Sequence, residues 1–224
     1  MKFITSINPS NIERSRLCVT NWLLYISEVV AVQSANEIDR LKPHFPEVTF
    51  VPTDDLDEKF DTKCPKVRAL VDQCPGIIIN SDIEILTDRD TLLRKIVYED
   101  ESILKCGVRW DYVSTVTNCK EMNPYGIDVF NITNTLKNTL TASEYTIGQP
   151  GWDYYFVLEA HMNNIRVMTQ TSPMFYHKIH EVNWKRWKLT LAQSMLEKRY
   201  DMRQEDVTRK VQSITGRCGR RRKK

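Results

Sequence analysis

Asp82 ends the tripeptide Asn80-Ser81-Asp82, which follows directly on the apolar run Ile77-Ile78-Ile79. Oxygen-bearing side chains at such a point are suited to a hard divalent cation, which prefers oxygen ligands and often bridges protein to substrate phosphates. The chemistry implied is that of an enzyme acting on a phosphate-bearing donor. Two other stretches bear on binding. The acidic run Asp54-Asp55-Leu56-Asp57-Glu58 reads as a second cation site or, more simply, a solvated loop. Trp184-Lys185-Arg186-Trp187-Lys188 interleaves aromatic and basic residues. Such a segment can stack on bases or sugars, lie on an anionic membrane surface, or pack a final helix onto the body.

These residues need a frame, and the first 110 residues supply one by alternating strand-like and helix-like segments. Lys2–Ile7 is apolar and β-rich. Asn11 can cap a helix in which Val19, Trp22, Leu23 and Ile26 follow i, i+3, i+4, i+7 spacing. Val29–Gln33 reads as a strand, Glu37–Leu41 as a short helix and Val48–Pro52 as a third strand. After Pro65, Val67, Leu70, Val71 and Cys74 repeat the helical spacing. Ile77–Ile79 then reads as a strand buried on both faces of a parallel sheet. Asn80, Ser81 and Asp82 thereby fall at a carboxyl end, where open α/β sheets bind ligands. Asp88–Ile96 reads as a helix and Ile103–Trp110 as a strand. Strands alternating with helices argue for a mostly parallel, Rossmann-like sheet.

The second half is more mixed. Asp111–Pro124 reads as irregular, Ile127–Ile132 as a strand, Asn134–Leu140 and Trp152–His161 as helices, and Ile165–Met168 as a strand. Leu189, Ala192, Met195 and Leu196 mark one face of a helix, and Val207, Val211 and Ile214 continue toward a basic terminus.

The net charge of +3 is not a property of the body. Six positive charges lie within Arg217–Lys224, and without them 26 basic residues face 29 acidic ones. A polybasic tail of this kind attracts polyanions without specificity. The six cysteines show no C-x-x-C pair, so reduced thiols packed as small hydrophobes are expected. No apolar run approaches the ~18 residues a membrane span requires, and the N-terminal apolar stretch is too short for a signal peptide. A cytoplasmic protein is the expectation, in the host cytoplasm if the chain is viral.

At this point the chain resembles glycosyltransferases of the GT-A type, in the order of motifs along residues 1–187. Thr5-Ser6-Ile7-Asn8 resembles the first strand opening a nucleotide pocket, and Pro65-Lys66-Val67-Arg68 the basic helix start near the donor. Asn80-Ser81-Asp82 resembles the D-x-D motif, with Asn80 in place of the first acid. Gly151-Trp152-Asp153-Tyr154 resembles the acidic helix start near the acceptor, and Phe175-Tyr176-His177-Lys178 a late metal-ligating His.

The resemblance implies a GT-A fold with a C-terminal helical extension and a basic tail. Residues 1–187 would form the catalytic domain, with 1–110 the nucleotide-sugar half and 111–187 the acceptor half. Residues 188–215 would form a helical segment, and 216–224 the tail. It implies a hexosyl- or pentosyltransferase using a nucleoside-diphosphate sugar and Mn²⁺ or Mg²⁺. Asp82 and His177 would ligate the metal, a structural imidazole being the plainer reading of His177 and, more so, of His180. Ser6, Asn8, Arg14, Lys66, Asn80 and Ser81 would contact the donor. Trp152, Trp184 and Arg186 would meet the acceptor. Asp153 would be the base of an inverting reaction, taking the acceptor's hydroxyl proton. It would position the acceptor in a retaining one.

The acceptor stays open at this level. A hydroxymethylated base in DNA would engage the tail through phosphates; a lipid-linked or saccharide acceptor would place the enzyme at a membrane surface. Nucleotidyl transfer competes less well, because Ser6-Ile7-Asn8-Pro9-Ser10 has no Gly for a phosphate loop. A non-catalytic nucleic-acid-binding module is kept in play by Asn80.

Overall fold

The computed structural model describes residues 1–97, 100–115, 121–140, 144–180 and 185–216, with 121–125 by their backbone. Its strands are β1 (Phe3–Thr5), β2 (Val29–Gln33), β3 (Val48–Pro52), β4 (Gly76–Ile79), β5 (Ile83–Ile85), β6 (Leu104–Tyr112), β7 (Glu121–Ile132) and β8 (Val167–Lys178). They form one mixed sheet in the order β3-β2-β1-β4-β7-β6-β8-β5. The first four run parallel, β7 and β5 run against their neighbours, and β6 and β8 are parallel to each other.

Helices α1 (Ile12–Trp22), α2 (Ala35–Leu41), α3 (Val67–Val71), α4 (Arg89–Leu92), α5 (Asn134–Lys137), α6 (Trp152–Met162), α7 (Arg186–Tyr200) and α8 (Gln204–Ile214) flank this sheet. Alternation along the strands divides the core between its two faces. Phe3, Ile77 and Ile79 pack with Cys18, Val19 and Trp22 of α1. Ile4 and Ile78 face the other way, into a cluster with Val67 and Leu70 of α3, Phe156 of α6, Leu196 of α7 and Val207 and Val211 of α8. The C-terminal helices are therefore part of a main core. No helix among the described residues is long and apolar enough to cross a membrane.

The structure departs from the sequence reading in three places. Asp111 and Tyr112 belong to β6, and β7 begins at Glu121, so the segment read as irregular contributes to both strands. The strand expected at Ile165–Met168 runs on to Lys178, through a solvent-facing stretch that carries no apolar signal. Ile83–Ile85 is a strand of its own, three residues long and paired antiparallel to β8. Gly107 explains one tight contact between β6 and β8, since a Cβ there would come within 2.2 Å of the Phe175 ring. Trp184 and the basic tail at 217–224 lie outside the described residues.

Candidate functional site

Asp82 occupies the turn joining β4 to β5, and its neighbour Ile83 is the register partner of His177 on β8. On the other side of β8, His177 pairs with Asp111 of β6. One imidazole is thus held between two strands, each of which brings a carboxylate. His177 Nε2 lies 3.3 Å from Asp82 Oδ2, and Nδ1 lies 3.0 Å from Asp111 Oδ1. His180, just beyond β8, sets its Nε2 3.3 Å from both Asp82 Oδ2 and His177 Nε2.

Asp82, His177 and His180 each offer one ligand atom, all within 4.8 Å of one another. Asp82 Oδ1 is buried and accepts no hydrogen bond from any described residue. A buried carboxylate oxygen without a donor is costly unless a cation satisfies it. The residues therefore fit a divalent metal. One carboxylate and two imidazoles suit a first-row transition ion such as Mn²⁺ better than Mg²⁺, which prefers oxygen ligands. Without metal the His177 imidazole favours its charged form. Burial alone would lower the His177 pKa, but the Asp111 and Asp82 carboxylates lift it to about 9. Burial pushes Asp82 up, yet hydrogen bonds from both imidazoles and the charges of His177 and Arg109 hold it well below the usual carboxylate range.

The turn that bears Asp82 is braced from α1. Arg14 pairs with Glu84, reaches the Tyr112 hydroxyl at 3.3 Å and donates to the Asp82 carbonyl at 3.2 Å. Tyr112 donates its hydroxyl proton to Glu84 as well.

A second polar group adjoins the first. Arg109 lies 3.2 Å from Asp111 and 3.2 Å from Asp128. Asn80 donates its side-chain amide to Asp128 at 3.3 Å and its backbone N–H to the Asp128 carbonyl at 3.1 Å. Burial pushes the Asp128 carboxyl up, against the pull of Arg109. Asp153 stands in the first turn of α6, after Gly151, whose φ of 89° is open to glycine at little cost. Desolvation, and then the nearby Asp128 charge, push Asp153 up to about 7. Asn80, Arg109, Asp128 and Asp153 border a cavity of about 430 Å³ whose far wall is built by α7 and α8.

The remaining expected residues are distributed as follows. Ser6 donates to Gln33, and Asn8 accepts from the Ser10 N–H. Lys66 directly precedes α3, and its ammonium lies 3.3 Å from Asp55. Ser81 is buried in the turn beside Asp82. Ser6, Asn8, Arg14 and Lys66 do not border the cavity. Trp152 does, although its ring is buried against Phe130 and Phe156. Arg186 opens α7 on an exposed face. Asp111, Asp128 and Arg109 escaped the sequence reading. Asp128 had a usable signal, a lone acid in the apolar strand Ile127-Asp128-Val129-Phe130; Asp111 and Arg109 acquire meaning only through strand register.

The chain matches no protein-family model and no curated protein. Among solved structures it is similar to a form of S. aureus TarS spanning residues 1–349. There the identity is 14%, 90% of this chain and 72% of that one are covered, and the TM-score is 0.46. A second S. aureus TarS structure is similar at 12% identity, over 96% of this chain and 43% of that one, with a TM-score of 0.45.

Proposed function

We propose that the chain is a metal-dependent glycosyltransferase, moving a sugar from a nucleoside-diphosphate sugar to an acceptor hydroxyl. The observation that carries this reading is convergence. Asn80-Ser81-Asp82, Asp153 and His177 come from three separate parts of the chain, and Arg109 acts electrostatically on both Asp82 and Asp153. A cation site at the carboxyl end of a parallel strand and a carboxyl of raised pKa in the first turn of α6, both within reach of the Arg109 charge, support transfer from a phosphate-bearing donor.

Asp82, His177 and His180 would hold Mn²⁺, which when bound would neutralise charge developing on the departing nucleoside diphosphate. Asp111 holds the His177 ring by its Nδ1, so that Nε2 faces Asp82. Asp153 would take the acceptor's hydroxyl proton as the new bond forms; a carboxyl with a pKa of about 7 is a stronger base than an ordinary one. The wall from α7 and α8 would keep water from competing with the acceptor.

The test is thermal unfolding with uridine, guanosine and adenosine diphosphates, each with and without Mn²⁺. A ligand that binds only the folded chain raises its apparent stability. A shift that requires both Mn²⁺ and one diphosphate, and vanishes in Asp82→Ala, is expected. No Mn²⁺-dependent shift with any of the three would overturn the reading.

A further inference from the structure

Arg109 stands where both neighbours of β6 slip out of register. Along β7 the partner moves from Ile127, opposite Val108, to Met122, opposite Trp110. Along β8 it moves from Gln170, opposite Gly107, to Phe175, opposite Arg109. Two steps on β6 thus match five on each neighbour, so the ladder bulges on both sides of one residue. Bulges gather beside active sites, where they re-aim a side chain. The side chain re-aimed here ends in a guanidinium, and Gly126 of β7 leaves room for its stem. A Cβ at 126 would come within 2.7 Å of Arg109 Nε and 2.9 Å of its Cδ and Cγ.

Two arms run from this guanidinium to the cation cluster. In the first, Nε lies 3.2 Å from Asp111 Oδ1, and the same oxygen lies 3.0 Å from His177 Nδ1. In the second, Nη1 donates to Asp128 Oδ2 at 3.2 Å, and Asp128 Oδ1 accepts the Asn80 side-chain amide at 3.3 Å. Asn80 opens the turn that carries Asp82, and Ile83 closes it by donating its N–H to the Asn80 carbonyl at 3.2 Å. His177 and Asp82 face each other at 3.3 Å, and each is reached from the same planar group. Arg suits this task, because its fork holds two carboxylates in fixed directions. A Lys ammonium is a point charge on a flexible stem.

Charge alone would give Arg109 the opposite effect. Its positive charge is felt at Asp82 and would repel a divalent cation bound there. A residue that only neutralised the surrounding acids would therefore weaken the cation site, and losing its charge would tighten binding. Position and charge predict opposite signs.

We propose that Arg109 is a positioning residue that sets His177 against Asp82 from behind, through Asp111 on one arm and through Asp128 and Asn80 on the other. The purpose of the cation site rests on the transferase reading; the clamp itself rests on the two arms, the double bulge and the seat at Gly126.

The experiment titrates Mn²⁺ calorimetrically into the full chain and into Arg109→Lys, Arg109→Gln, Gly126→Ala and the double variant Arg109→Lys with Asp111→Ala. Thermal unfolding of each metal-free chain is followed alongside. Gly126→Ala keeps every charge while pushing the Arg109 stem off its seat, and it carries the test if a replacement at 109 does not unfold cooperatively.

Arg109→Lys and Arg109→Gln are each expected to weaken Mn²⁺ about ten-fold, the lower end of the ~10–100-fold range for groups that orient metal ligands. Gly126→Ala is expected to act in the same direction by a smaller factor. In the double variant the loss should fall short of the sum of the single losses, because one arm is shared. Tighter Mn²⁺ binding in Arg109→Gln, with parental affinity in Arg109→Lys, would overturn the proposal and make Arg109 a counter-charge. Parental affinity in Gly126→Ala would overturn it as well, as would full additivity in the double variant. Weakened Mn²⁺ in these variants, with no Mn²⁺-dependent nucleoside-diphosphate binding by the parent, would keep the clamp and overturn the transferase reading. Parental Mn²⁺ affinity in every variant, with nucleotide binding intact, would overturn the clamp alone.

Discussion

Asp111 and His177 are register partners on the parallel strands β6 and β8, and their side chains meet at 3.0 Å between Oδ1 and Nδ1. The imidazole is thereby turned so that its other nitrogen faces Asp82. A carboxylate behind a ligating His fixes the ring, and its loss typically weakens metal binding by ~10–100-fold. Asp111→Ala is expected to reduce Mn²⁺ affinity within that range, read by calorimetric titration, while thermal unfolding of the metal-free chain stays cooperative. Affinity equal to the parent would show that the ring is held by the strands alone.

Asp82 supplies the one carboxylate of the cluster, and its Oδ1 accepts nothing from the described residues. Asp82→Ala is expected to abolish Mn²⁺-dependent stabilisation and to lower transfer from a nucleotide sugar by on the order of 10² or more, the scale on which preorganised charge stabilisation acts. Turnover within a few-fold of the parent would remove Asp82 from the chemistry.

Asp153 sets a pH dependence whose sign follows from its raised pKa. A carboxyl moved from 3.8 to about 7 is neutral in the folded chain across that interval but ionised in the unfolded one. Its contribution to stability is full below about pH 4 and is lost as pH rises through about 7. Transfer should rise over the same span, because only the carboxylate is a base. Asp153→Asn is expected to flatten the stability profile between about pH 4 and 7 and the activity profile around pH 7. Parallel profiles for parent and variant would assign the dependence to another group.

Much of this was legible before any coordinates. Val29–Gln33 and Val48–Pro52 are strands over the spans their apolar patterns suggest, and Asn80-Ser81-Asp82 sits in a turn at the end of a fully buried strand. Local periodicity carries that information because a strand buried on both faces must be apolar throughout. It fails for β5, where three residues make too short a pattern, and for β8, whose middle faces solvent. Asp111 and Arg109 were invisible for a different reason. Asp111 gains its significance from His177, 66 residues away, and Arg109 from Asp128 on the neighbouring strand, 19 residues away, and neither register can be read from one strand alone. Ser6, Asn8 and Lys66 were named by residue type and motif order for the donor side, and they stand apart from the cavity that Asp153 borders.

Gly107 offers a test of the packing that brings β6 against β8. A methyl group there would meet the Phe175 ring at 2.2 Å, and overpacking of that kind costs ~1–3 kcal/mol. Gly107→Ala should lower the unfolding midpoint, and combining it with Phe175→Leu should recover part of the loss. Simple additivity in the double variant would place the clash elsewhere.

Deleting residues 217–224 removes six positive charges. Binding to duplex DNA, if it runs through phosphates and the tail, should weaken and lose much of its salt dependence, because each phosphate contact contributes about −0.9 to the log–log slope. An unchanged slope would assign nucleic-acid affinity to the body of the chain.

The helices α7 and α8 wall the cavity and, through Leu196 and Val207 at its border and Val211 beyond it, belong to a buried cluster with Ile78, Phe130 and Phe156. The wall that would shield the acceptor is therefore not a detachable module. A chain ending before Arg186 would uncover Phe156 and its neighbours along with the cavity, losing the fold together with the shield. Changes in what the cavity admits would have to arise by single replacements on the cavity-facing side of these helices, each constrained by what the helices already pack. Retargeting such a protein would proceed in small steps at nearly constant backbone, and not by exchange of a loop or a domain.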